Sequence, residues 1–257
     1  RAIKSVFNNS IQPDHFILTI DGPIPIINFD LINRLSSIYP IEINQIPKNV
    51  GLALALNNAL DKVTTEWVAR ADSDDFNLKD RFLLQTQYAQ KNFDVIGGFV
   101  REIDSRNEIT DLIKKVPLND KDIKKYMKFR NPINHMTAFY KTKYVRAVGG
   151  YPNIYLREDY GLWIKLAKEG AIFHNIDNIL VNAEGGNDLF RRRSGIKSAY
   201  AEYELQRIFF ASGIKTLQKA LIDFFIRAFF LSLPFPIIKN IYKFKLRNPL
   251  KKSNQKL

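Results

Sequence analysis

Trp67-Val68-Ala69-Arg70-Ala71-Asp72-Ser73-Asp74-Asp75 is the stretch on which the reading turns. Trp67–Ala71 has the composition of a short strand, and three carboxylates in four residues follow it directly. Like charges crowded at one strand end repel unless a cation or hydrogen-bond donors offset them. Hard cations such as Mg²⁺ and Mn²⁺ take carboxylate oxygens, and Mg²⁺ commonly binds through one or two carboxylates plus substrate phosphates. The segment therefore suits a metal–diphosphate complex. Its simpler use is as a helix cap, with Asp75 or Asn77 closing a helix from Leu78 and the other acids solvated. An EF-hand loop is excluded, because Asn77 stands where the sixth position needs Gly and Leu83 where the twelfth needs Glu.

Outward from this point, short β-like runs alternate with helical spacing. Arg1–Phe7 reads as a helix and His15–Ile20 as a strand ending at the breakers Asp21-Gly22-Pro23. A helix over Ile27–Ile38 and a strand over Ile41–Ile46 follow. Asn49-Val50-Gly51 then turns the chain into a helix over Leu52–Lys62. Beyond the acids come a helix near Leu78–Lys91, a strand over Asp94–Val100, and a charged loop and short helix over 111–130. A strand over His135–Tyr140 and a helix over Asp159–Glu169 complete the series, the helix carrying Leu162, Trp163 and Leu166 as apolar positions. Repeated strand–helix–strand units predict an α/β fold with a mostly parallel sheet flanked by helices. In such sheets ligands bind outside the carboxyl ends of the strands.

The 257 residues suffice for one α/β domain and a smaller appendage, and the apolar fraction of 46% excludes a disordered chain. Absence of cysteine excludes a disulfide scaffold and thiolate metal sites and fits a reducing compartment. The net charge of +13 is unevenly spread: Arg191–Leu257 holds 15 Lys/Arg against 3 Asp/Glu, while the rest is almost neutral. Such asymmetry points to an anionic partner, against a merely solvated basic surface.

Several motifs in order resemble the family-2 glycosyltransferases of the GT-A fold. They are Asp21-Gly22 after a strand, Asn49-Val50-Gly51-Leu52 opening a helix, Ala69–Asp75, Asn131-Pro132-Ile133-Asn134-His135 and Glu158-Asp159-Tyr160-Gly161-Leu162-Trp163. The likeness extends through Arg191-Arg192-Arg193-Ser194-Gly195 and looks closest to bacterial enzymes of amylovoran, O-antigen or capsule assembly. It implies an inverting transfer from a nucleotide-diphosphate sugar to a saccharide acceptor. Alternatives are a nucleotidyltransferase of related fold or a non-catalytic nucleotide-sugar- or membrane-binding subunit.

By resemblance, Asp21, Asn49, Gly51, Arg70 and Asp72 meet the donor, Asp74 with Asp72 binds a divalent cation (Mn²⁺ or Mg²⁺), and Asp159 is the base. Glu158, Trp163 and His135 belong to the acceptor side. Each has a plainer use. Asp21 opens a turn, Asn49 and Gly51 make a tight loop, Glu158 and Asp159 favour a helix N-terminus, Trp163 is core and His135 a structural histidine. Two departures stand out. The helix after Asn49-Val50-Gly51 has Leu56-Asn57 where many relatives carry a basic residue, so phosphate charge falls to the metal, Arg70, Arg81 or Arg191–Arg193. The family's first strand would precede Arg1, so residues 1–186 are expected to be an N-terminally incomplete catalytic domain, inactive without the upstream segment.

Residues 187–257 are expected to form a basic, amphipathic helical region. Thr216–Leu233 places Leu217, Leu221, Phe224, Phe225, Ala228 and Leu231 on one face and Lys215, Lys219, Asp223 and Arg227 on another. Lys239, Lys243, Lys245, Arg247, Lys251 and Lys252 follow, with Ile241, Tyr242 and Phe244 among them. The apolar run is broken by Pro234 and Pro236 and is too short to span a bilayer, which needs about 20 residues. Apolar insertion with headgroup attraction describes an interfacial helix; packing on the catalytic domain is the alternative. Contact with the inner face of the cytoplasmic membrane, a lipid-linked acceptor and no nucleic acid are the expected partners.

Overall fold

The computed structural model describes residues 1–104, 108–184 and 195–232. Helix α1 (Ala2–Phe7), strand β1 (Phe16–Asp21), α2 (Ile26–Ser36), β2 (Ile41–Ile46) and α3 (Leu52–Lys62) form the first unit. Strands β1 and β2 pair in parallel, from Phe16↔Ile41 to Asp21↔Ile46, so their carboxyl ends finish side by side. A second sheet holds β3 (Trp67–Ala69), β4 (Phe76–Asn77), β5 (Val95–Ile103), β6 (Ile109–Lys114), β7 (Phe139–Lys141) and β8 (Phe173–Glu184). Its order is β3-β7-β5-β8-β4, with β6 added to β5. Helices α4 (Arg81–Ala89), α5 (Asp120–Met127), α6 (Thr142–Ala147), α7 (Glu158–Lys168), α8 (Ile196–Ala211) and α9 (Leu217–Ser232) complete the chain.

The α/β class stands, and the sheet is more mixed than the strand–helix alternation predicts. The long pairings, β1–β2 and β5–β8, are parallel. The short ones, β3–β7, β5–β7, β4–β8 and β5–β6, are antiparallel. Strands of two or three residues carry too little pattern to announce their direction. The segment 111–130, expected as loop and helix, supplies most of strand β6 as well as α5. The strand expected over His135–Tyr140 is a single 3₁₀ turn, His135–Thr137, followed by the short β7. The longest strand, β8, went unread because Asn175, Asp177, Asn178 and Asn182 interrupt its apolar positions.

Alternation across the second sheet builds two cores. Val95 and Tyr140 face one, while their neighbours Ile96 and Phe139 face the other. The first core is sealed by α7, whose Leu162, Trp163, Ile164 and Leu166 are all 0% exposed. Each such side chain contributes about 1.5–3 kcal/mol relative to exposure. Leu205 and Phe209 of α8 join this same core, so the helical region begins as part of the body. That anchors α7, and with it the residues at its first turn.

Candidate active site

Two loops meet at the carboxyl ends of β1 and β2. Asp21, the last residue of β1, accepts hydrogen bonds from Val50 N (2.8 Å) and Gly51 N (2.9 Å), one on each carboxylate oxygen. Asn49 Nδ2 donates back to the Asp21 carbonyl at 3.1 Å. Gly22, at φ +91°, is required here: a Cβ would lie 2.7 Å from Asn49 N. Asp21, Asn49 and Gly51 are thus assembled into one turn at the entrance to α3, as the structural and the donor-binding expectations both need. No spacing rule linked Asp21 to the amides thirty residues on.

The acid segment leaves β3 with Arg70 N bonded to Ala138 O (2.9 Å) and reaches β4 at the far edge of the sheet. Asp72 is half-buried, Asp74 exposed and Asp75 buried, and each offers an oxygen lying within 4.8 Å of the others. The buried Arg70 guanidinium donates to Asp72. Burial, then the charges of Asp72 and Asp74, push the Asp75 carboxyl up to about 7. One Asp75 oxygen, Oδ2, is buried without a hydrogen-bond partner. A hard divalent cation fits this donor set: the carboxylates are oxygen ligands, and the orphaned oxygen lacks the donor that a buried acid normally finds. Asp75 therefore adds a third acid to the expected pair Asp72 and Asp74.

Arg81 does not join them. It is 1% exposed and spends its nitrogens on Asn77 Oδ1, Gln85 Oε1 (3.1 Å) and the carbonyls of Arg70 (2.7 Å) and Ala138 (3.4 Å). Burial, reinforced by the like charge of Arg70, pulls its pKa down to about 9. It is a strut beneath the acid segment, and the expectation that it neutralises phosphate is corrected. Arg191–Arg193 lie outside the described residues.

On the side expected to meet the acceptor, α7 opens with Glu158 and Asp159. Asp159 is half-buried; its Oδ1 accepts from Tyr160 N (2.7 Å) and its Oδ2 from Asn131 Nδ2 (2.5 Å). Glu158 is 6% exposed. The preceding loop is fixed from α3: Asn57 donates to Tyr151 O and accepts from Tyr151 N, both at 2.8 Å. Gly150, at φ +71°, brings the loop so near that a Cβ would meet Asn57 Oδ1 at 2.3 Å. Asn57, next to the Leu56 that stands where many relatives carry a basic residue, thus ties α3 to the loop that leads into α7. Burial opposes charge on Arg70, yet Asp72, then Tyr151 and Asp159, hold its pKa above the ordinary range.

Two acceptor-side expectations are corrected. Trp163 is 0% exposed, packed in the core with His135 edge-on at 6.3 Å, so it offers no face to a sugar. His135 is enclosed too; its Nε2 meets Tyr151 Oη at 3.3 Å, and Tyr151 donates to Tyr140 at 3.1 Å. Burial, then the Arg70 charge, drives the His135 pKa well down, leaving a neutral ring. It fixes Tyr151 instead of meeting a ligand. Tyr151 carries no signal in the sequence, while Asn57, Asn131 and Asp75 stand inside the stretches quoted above without the individual contacts that the structure gives them. All but Asp75 act through partners remote in the chain.

This arrangement defines a GT-A sugar-transferase fold. Residues 1–148 match Glycosyl transferase family 2. A UDP-Gal:alpha-D-GlcNAc-diphosphoundecaprenol beta-1,3-galactosyltransferase of Escherichia coli is 34% identical over 248 residues, 96% of this chain and 90% of that protein. The amylovoran biosynthesis glycosyltransferase AmsE of Erwinia amylovora is 28% identical over 245 residues, 95% of this chain and 91% of that protein. Among solved structures, S. aureus TarS 1-349 in complex with UDP-GlcNAc shares the fold at a TM-score of 0.64 and 15% identity, covering 96% of this chain and 71% of that one. The chain belongs to glycosyltransferase family 2, and the enzyme it forms is a glycosyltransferase.

Proposed function

We propose that the protein transfers a sugar, with inversion, from a nucleoside diphosphate to a lipid-linked saccharide during assembly of a bacterial surface polysaccharide. The observation that carries this reading is the grouping of Asp72, Asp74 and Asp75 around one unpartnered buried oxygen, in a chain that belongs to glycosyltransferase family 2. The names of the relatives support the acceptor class: the E. coli protein is described as acting on a diphosphoundecaprenol-linked GlcNAc.

In this reading Asp159 accepts the proton of the acceptor hydroxyl as its oxygen bonds to the anomeric carbon and the nucleoside diphosphate departs. Single displacement inverts that carbon. A positioned carboxylate base contributes about 10²–10⁴-fold. Asn131 and the Tyr160 amide hold Asp159, and Glu158 stands beside it on the acceptor side. Asp21, Asn49 and Gly51 border the nucleotide, with Arg70 and Asp72 toward the diphosphate. Asp72 and Asp74, joined by Asp75, are the residues that would hold Mn²⁺ or Mg²⁺. Bound there, the cation supplies neutralisation of charge on the departing diphosphate. Residues 1–186 carry the transfer site, and 187–257 attach the enzyme to the inner face of the cytoplasmic membrane.

The test is transfer by the full-length protein from UDP- and GDP-sugars to a diphosphate-lipid saccharide, with Mn²⁺, Mg²⁺ or chelator. Transfer that stops on chelation is expected. Pyrophosphate release in place of a nucleoside diphosphate would sink the proposal.

A further inference from the structure

Helix α9 is folded inside out. Its Asp223 and Arg227 turn toward the protein, and most of its large apolar residues turn away. Leu217, Leu221, Ile222, Phe225, Ile226 and Phe230 are 46–66% exposed, whereas Ala220 is 4% exposed and Asp223 and Arg227 are half-buried. The cause lies in Glu202 of α8, a carboxylate with a side-chain exposure of 0%. A buried charge demands paired cations. Arg157 answers at 3.1 Å and Arg227 at 3.3 Å, and Arg227 also donates to the Phe129 carbonyl. One turn earlier, Asp223 is held by Lys215 and Lys219, each at 2.8 Å. These pairs fix the rotation of α9 and leave aromatic and aliphatic side chains outward. Among the described residues no helix is long and apolar enough to cross a membrane.

We infer that this outward face of α9 lies in the headgroup layer of an anionic bilayer. Charge complementarity selects that occupant: residues 233–257, which continue from α9, contain seven Lys/Arg and no Asp/Glu. An apolar helix face followed by a segment whose charges are all positive matches insertion among acyl chains combined with attraction to acidic headgroups. A second copy of this chain would present the same positive segment to itself. The attachment points also suit a surface-borne acceptor, a part of the argument that rests on the proposed function. Arg157 directly precedes Glu158 and Asp159, and Phe129 lies two residues before Asn131, the partner of Asp159. The lipid-contacting helix is therefore fastened to both segments that hold the proposed base.

Flotation of the full-length protein with phosphatidylethanolamine–phosphatidylglycerol vesicles, against phosphatidylcholine vesicles, tests the inference. The wild type should partition at least about tenfold more strongly onto the anionic vesicles. Ile222→Glu with Phe225→Glu should lower that partition by about tenfold or more while leaving the circular dichroism spectrum unchanged. Lys243→Gln, Lys245→Gln and Arg247→Gln together should remove the preference for anionic lipid. Equal flotation of wild type and the double glutamate variant overturns the inference, as does equal binding to both vesicle types. A dimer split by the glutamates with flotation unchanged overturns it too, and makes the face a contact between copies. Flotation needs no sugar substrate, so failure of the transfer reaction would count against the proposed function and leave this result standing.

Discussion

The carboxylates on the two sides of the site are held in opposite ways. Asp72, Asp74 and Asp75 are crowded together, and one of them reaches a neutral-range pKa because burial and two like charges resist its ionisation. Asp159 stands at the first turn of a helix, satisfied by one amide and one side-chain donor. The first arrangement stores unfavourable electrostatics that a bound cation would relieve. The second fixes the position of the Asp159 carboxylate. Binding and proton transfer should therefore separate cleanly under substitution.

The largest effect expected is on Asp159. Asp159→Asn should lower kcat by about 10²–10⁴-fold with nucleotide-sugar affinity nearly unchanged; calorimetry beside the transfer assay measures both. Comparable loss of donor affinity would break the distinction between the two acid groups. Next comes the strut beneath the crowded acids. Arg81→Leu removes bonds to Asn77, Gln85 and two carbonyls, and should destabilise the protein by about 3 kcal/mol or more in urea unfolding. A change below about 0.5 kcal/mol would show that the acid segment does not depend on that scaffold.

Smaller is the link between the halves. Asn57→Ala leaves the Tyr151 amide and carbonyl without their partners and should cost about 1–3 kcal/mol. It should raise KM for acceptor more than for donor, because the loop it releases leads into α7; equal changes in both would argue against that assignment. The finest test concerns pH. Asp75 keeps its proton to about 7 in the folded chain against 3.8 for an unhindered aspartate. Rising pH thus strips the unfolded chain first, so metal-free stability should fall between about pH 4 and 7 and then level off. Over the approach to that upper limit, Mn²⁺ affinity should rise as the proton is displaced. Asp75→Asn should flatten both slopes, and unchanged slopes would remove Asp75 from the cation set.

Legibility followed the range of the interaction that defines each feature. The helix over Leu52–Lys62 and the strand over Ile41–Ile46 match their observed bounds, because each has an unbroken local pattern and a turn at its start. The strand leading into Asp72 was legible for the same reason, although it ends earlier, at Ala69. Strand β8 and the 3₁₀ turn at His135 were not, since their conformations depend on β5 and on Thr137 and Asn134 bonding across to Gly98. Trp163 shows the limit within the site. Its spacing from Asp159 places both on one helix face, but Trp163 packs against His135 and Tyr140 in the core while Asp159 stays half-buried.

By itself, the sequence determined the α/β class, the ordered motifs by which the chain resembles its family, the crowding of acids after a strand and the basic C-terminal quarter, all properties of neighbours in the chain. Only the tertiary structure decided which arginine serves the acids and which supports them, and which way α9 turns its apolar side. Those outcomes depend on buried charges. A guanidinium or carboxylate removed from water must find partners wherever the fold supplies them, and those partners lie 11 residues from Arg81 at Arg70 and far outside any local window for Glu202 at Arg157.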